Sequence, residues 1–174
     1  SFTNGTSIIA TTITNNGENG VITTAGDTIT ASIDNNAQLN ITGGNNANTI
    51  TGSGTTTLSG VTVNNGSISQ GIIEITATGD VTSNADNLIA TDTTSGIANA
   101  GQLTLKGGEN TSVITGDGST TISGDVINSG TITQSTVEIT SPSGELTTAG
   151  DTITANITNN GQLNITGGDN ANDI

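Results

Sequence analysis

The chain has 174 residues, yet only 29% are hydrophobic; it carries 25 Gly, one Phe, one Pro and no Trp, Tyr, Met, Cys or His. That composition excludes a thick core of large side chains, a disulfide scaffold, thiol or imidazole catalysis and a Cys- or His-ligated metal. Fifteen acidic residues against one basic residue, Lys106, give a formal net charge of -14, which repels nucleic acid and anionic membranes, and no apolar run is long enough to insert in a membrane.

Residues 1–20 lead into a repeat whose first unit spans 21–80. It opens on Val21 and the string TTAGDTITA (23–31), followed by QLNITGG (38–44). Further strand-like strings follow, such as VTV (61–63), separated by Gly, Asn and Asp turn residues. The second unit, 81–144, is more divergent. At an offset of 60, Val81, Ala85 and Ile89 match Val21, Ala25 and Ile29. After a four-residue insertion near Asp92 to Ser95 the offset becomes 64, and Gln102, Leu103 and Gly107 match Gln38, Leu39 and Gly43. A third, partial unit, 145–174, restores TTAGDTITA at 147–155 and QLNITGG at 162–168, both displaced by 124. Since the earlier units continue past the equivalents of Ile174, the chain is expected to be an excised piece of a longer protein or a protomer whose ends its neighbours cover.

Regular recurrence of Ile, Leu and Val argues against a disordered chain of low hydrophobicity. The expected fold is all-β: a single continuous parallel β-helix, or β-solenoid, over 1–174, with about 20 residues per coil and three coils per unit. At the spacing of parallel strands this gives about nine coils and a rod of roughly 40 Å. Equivalent aliphatics then form a core ladder: Ile29, Ile89 and Ile153; Leu39, Leu103 and Leu163; Ile41, Leu105 and Ile165. Thr, Ser and Asn alternate with them toward water. Asn-Gly pairs such as Asn65-Gly66 and Asn160-Gly161 are expected to supply positive φ at corners. Asn40 and Asn164 are equivalent and suggest an internal or surface asparagine ladder.

Two resemblances add to this. GSGTTTLSG (52–60) and GDGSTTISG (116–124), each followed by a strand and an N-G or S-G turn (NNGSI, 64–68; NSGTI, 128–132), resemble the passenger-associated repeat of bacterial autotransporter adhesins. That resemblance implies a right-handed parallel β-helix displayed on or released from a bacterial cell, serving as a stalk or adhesin. GGDNANDI (167–174) is similar to one turn of the calcium-binding nonapeptide repeat, which makes Asp169 and Asp173 the calcium candidates. Turn chemistry explains the same residues without a cofactor.

Paired carboxylates for polysaccharide cleavage could be drawn from Asp27, Glu74, Asp80, Asp86 and Glu138. They lack the aromatic platforms and basic partners such enzymes use, so a non-enzymatic reading is expected. Its leading form is an extracellular, cell-surface structural protein that self-associates into fibres or arrays. An adhesin binding a host or neighbouring-cell ligand is the alternative, and a polysaccharide-acting enzyme ranks last.

Overall fold

The computed structural model describes residues 2–4, 10–26, 28–148 and 153–167. It is a parallel β-solenoid of about eight turns with roughly 18 residues per turn. Every strand pairing is parallel. Each turn lays down three short strands, mostly of three or four residues, so the cross-section is a three-faced prism. Side chains within a strand alternate between interior and solvent, as period 2 requires; Gln38–Ile41 and Ser67–Gln70 both bury their second and fourth residues.

The first face carries an unbroken interior column in which each residue is the register partner of the next: Ile22, Leu39, Thr56, Ile73, Ile97, Ile114, Ile132 and Ile153. All eight are buried. On the second face one column runs Thr62, Val81, Leu103, Thr120, Val137 and Ile157. These two faces form one sheet because Ile132–Ile139 turns a corner without breaking, pairing with Ile114–Thr115 through its first residues and with Ser119–Ile122 through its last.

The third face is divided into a five-stranded sheet ending at Leu88–Ala90 and a four-stranded sheet beginning at Gly108–Asn110. Between them a single 3₁₀ turn, Ala85–Asn87, replaces strand. The Ala85 N–H donates to the Gly107 carbonyl at 2.7 Å, and the buried Ala90 N–H finds the Ser112 hydroxyl at 3.0 Å. A side chain thus satisfies a donor that the interrupted ladder leaves without a carbonyl.

Register corrects the expected relation between unit and coil. The strands Val21–Thr24, Asp80–Ser83 and Glu145–Thr148 make equivalent pairings: Ile22 meets Leu39, Val81 meets Leu103 and Leu146 meets Leu163. Counting Ile132–Ile139 and Ile153–Asn159 as two strands each, because each spans two faces, ten strands separate one start from the next. At three strands per turn, ten strands make three and a third turns rather than three. Each unit is therefore rotated by one face relative to the one before. Leu39 lies on the first face, Leu103 on the second and Leu163 on the third. Equivalent residues share an environment but do not stack on one another, so the nine named aliphatics do not form three ladders.

Burial revises that set further. Ile29, Leu39, Ile41, Leu103, Leu105 and Ile153 are buried in the core. Ile89 is not: it points outward beside Ser69, and its neighbours Leu88 and Ala90 point in. The pairing register relates Ile22 to Val81 and Ile29 to Leu88 by an offset of 59, so the insertion is five residues and the offset of 60 moved Ile89 to the wrong side. Leu163 is only partly buried and Ile165 is 50% exposed, because no described strand covers their strand on its far side.

Candidate functional surface

The interior holds more polar atoms than composition suggests. Asn15, Asn35, Asn46, Asn64, Asn99, Asn110 and Asn128 are buried, each at the last position of its strand. A buried amide must be hydrogen-bonded to be tolerated, and here the turn itself supplies the partners. The Asn46 side chain donates to the Asn48 carbonyl at 2.9 Å and accepts the Asn48 N–H at 3.3 Å, holding the corner closed, and it donates to Asn64 Oδ1 in the next coil at 2.7 Å. Asn110 repeats all three bonds with Ser112 and Asn128.

At another corner the ladder skips a coil. Asn35 Nδ2 donates at 2.7 Å to Gln70 Oε1, and Gln70 Nε2 in turn donates to the carbonyl of Gly52. Gly52 has φ +121° and no side chain, and a Cβ there would strike the Asn35 carbonyl oxygen, so the longer glutamine amide can span the gap. Asn99, Gly116 and Gln134 reproduce this one unit later. Asn40 and Asn164, expected to form an internal or surface ladder, face outward on different faces and stack on threonines, Thr23 and Thr57 beside Asn40 and Thr147 beside Asn164; Asn40 accepts from Gln38 and Asn164 donates to Glu145.

The corner glycine of Asn65-Gly66 departs from expectation as well. Its φ is not positive. Glycine is required because a Cβ would overlap the Asn48 carbonyl of the adjacent coil.

Outside, the faces are flat and carry short polar side chains. Of the carboxylates considered for glycan chemistry, Glu74 lies on the first face and accepts from Thr57 Oγ1 at 3.0 Å. Asp80 and Glu138 lie on the second face, and Asp86 sits in the 3₁₀ turn. None of the three strand carboxylates has an acidic register partner. Asp27 lies outside the described residues. The acidic pair that does stack, Asp125 with Glu145 on the third face, went unnoticed in the sequence because the two are 20 residues apart in no motif. It borders a shallow hollow with Ile127, which is 49% exposed, and Glu145 Oε1 accepts from Asn164 Nδ2 at 2.7 Å. No aromatic ring or cation lines that hollow.

Among the described residues no three Asp or Glu side chains converge as a metal would require; Asp169 and Asp173 lie outside them. The strings equivalent to GGDNANDI are described, and they are solenoid corners whose inward amides, Asn46 and Asn110, are already engaged. No described helix is long and apolar enough to cross a membrane.

Two shallow grooves run along corners. One passes Gly20, Ala37 and Gly54, and the other Gly79, Gly101 and Gly118. These triplets are equivalent in the repeat, and the rotation of the units puts them on different edges of the prism. Compared with known proteins, the chain matches no family model, no curated protein and no solved structure.

Proposed function

We propose that this chain is a non-enzymatic, extracellular structural protein, the shaft of a surface filament or stalk of bacterial type that works by length and stiffness. The observation that carries this reading is the continuous interior: aliphatic and amide columns run from coil to coil, and the outer faces offer shallow grooves in place of a deep cleft. Rotation by one face per unit adds to it. Repeating the unit extends the rod while distributing each unit's surface around three sides.

Electron microscopy and sedimentation of the purified chain test the proposal. Fibres that lengthen with concentration are the expected result for a self-associating filament. Monodisperse rods that bind cells would replace it with the adhesin reading, for which the exposed Val61 (68%) and Ile127 offer apolar contacts. Release of reducing sugars from polysaccharide would overturn both.

A further inference from the structure

We propose that Asn16 is a site of spontaneous deamidation, singled out from the other described Asn-Gly pairs by the hydrogen bonding of its corner. The reaction needs only water. The Gly17 backbone nitrogen attacks Asn16 Cγ, a new C–N bond closes a five-membered succinimide, and the Cγ–Nδ2 bond breaks. The amide nitrogen leaves as ammonia, taking up the proton released from Gly17. Water then opens the ring at either carbonyl, leaving aspartate or its isopeptide isomer.

A backbone N–H already committed to an acceptor is withdrawn from this attack. Four Asn-Gly pairs lie among the described residues. The Gly20 N–H donates to the Gly17 carbonyl at 2.7 Å, the Gly66 N–H to the Asn46 carbonyl at 2.8 Å, and the Gly161 N–H to Asn159 Oδ1 at 3.1 Å. Those bonds protect Asn19, Asn65 and Asn160. The Gly17 N–H has no acceptor among the described residues, where Gly17 takes part only through its carbonyl. Asn16 and Gly17 are also exposed, so the base and the water that the reaction uses can reach them.

The carbonyl under attack is polarised too. Asn36 Nδ2, one coil on, donates to Asn16 Oδ1 at 2.8 Å, placing a hydrogen-bond donor where negative charge develops in the tetrahedral intermediate. At Asn65 the arrangement is reversed: its amide donates to Asn45 Oδ1, and no described residue donates to its oxygen. Conversion of Asn16 adds a negative charge to an already acidic chain. The isopeptide form adds a backbone methylene in the turn that leads to Gly20, whose α-carbon faces the buried Asn15 side chain with no room for a Cβ.

The test is peptide mapping by mass spectrometry of the folded chain held at mildly alkaline pH, with a parallel sample in urea. In the folded chain Asn16 is expected to convert about tenfold faster than Asn19, Asn65 or Asn160, the factor for an attack that must first break a hydrogen bond. In urea the four rates should converge. Conversion of any of the other three as fast as Asn16 in the folded chain would overturn the proposal. Asn36→Ala, with folding checked by circular dichroism, should slow Asn16 severalfold and leave Asn65 unchanged. An unaltered Asn16 rate there would contradict the assisting role of Asn36.

Discussion

Two kinds of corner turn this chain, and they solve the same problem differently. After Gln38–Ile41 and Thr55–Leu58 the last inward residue is aliphatic, and glycines at positive φ, Gly43 and Gly60, bring the chain around. After Gly44–Asn46 and Gly108–Asn110 the last inward residue is asparagine, and its amide closes the turn and reaches the next coil. An aliphatic corner is held by burial, worth about 1.5–3 kcal/mol for each large side chain. An asparagine corner is held by hydrogen bonds that are modest in net value but costly to break, because each amide removed leaves buried partners without bonds. A chain with one aromatic residue cannot fill a wide interior, and the inward amides let it narrow the prism and still satisfy the backbone at its edges.

The harshest way to break this contrast is Leu103→Asp. A carboxylate would enter a dry column between Val81 and Thr120 at a cost of several kcal/mol, and far-UV circular dichroism should show loss of the cooperative β-melt. The same change at Ile165, half exposed on an uncovered strand, should leave the melt nearly intact.

Next in size is Asn64→Ala. It removes the acceptor of Asn46 Nδ2 and the donor to Ser83 Oγ and the Asn87 carbonyl, and should cost about 2–3 kcal/mol in urea unfolding. Combined with Asn46→Ala, the loss should be clearly less than additive, since the two amides belong to one network.

Thr62→Val has the opposite sign. The Thr62 hydroxyl is fully buried and has no hydrogen-bond partner among the described residues. Its equivalent in the second unit, at an offset of 64, is the buried Val126. Replacement by the isosteric valine should stabilise the fold by about 1 kcal/mol in the same assay.

The smallest effect belongs to the inserted loop. Backbone N–H groups of Ser95 and Thr94 donate to Asp92 and hold its carboxyl below the usual aspartate range. A carboxyl pKa lowered by folding contributes stability above its unfolded value, near 3.9, and that contribution is lost as pH falls through the lower folded value. Amide protection at Thr94 and Ser95, measured against the intrinsic exchange rate at each pH, should therefore fall in that acidic window while the coil amides stay protected.

Much of the architecture was legible in the sequence, because Ile, Leu and Val recur where a thin core needs them and Gly, Asn and Asp punctuate them. The phase of the units was not. A spacing of 60 to 64 divides equally well into three coils of 20 or three and a third of 18, and only strand pairing separates the two. The inward amides were missed for a different reason: asparagine suits both a solvated turn and a buried corner. A signal did exist in the internal repeat. Asn35, Asn46, Asn64 and Gln70 return unchanged at an offset of 64 as Asn99, Asn110, Asn128 and Gln134, whereas the adjacent Asn36, Asn45 and Asn65 become Ala100, Glu109 and Ser129. The first group is buried and bonded across coils, and the second is not buried. No comparable signal marks Asp125 and Glu145, whose adjacency follows from the rotation of the coils alone.

The central claim is that coils of about 18 residues set the stacking and that the unit runs out of phase with them. Paired cysteines test it most directly, since the chain contains none of its own. Thr57 and Glu74 are outward register partners on the first face, and directly stacked positions lie within disulfide reach. Thr57→Cys with Glu74→Cys should oxidise completely without loss of the β-melt, and Thr57→Cys with Ala77→Cys, the pair that a 20-residue coil would stack, should remain reduced. Efficient closure of the second pair and failure of the first would contradict the account.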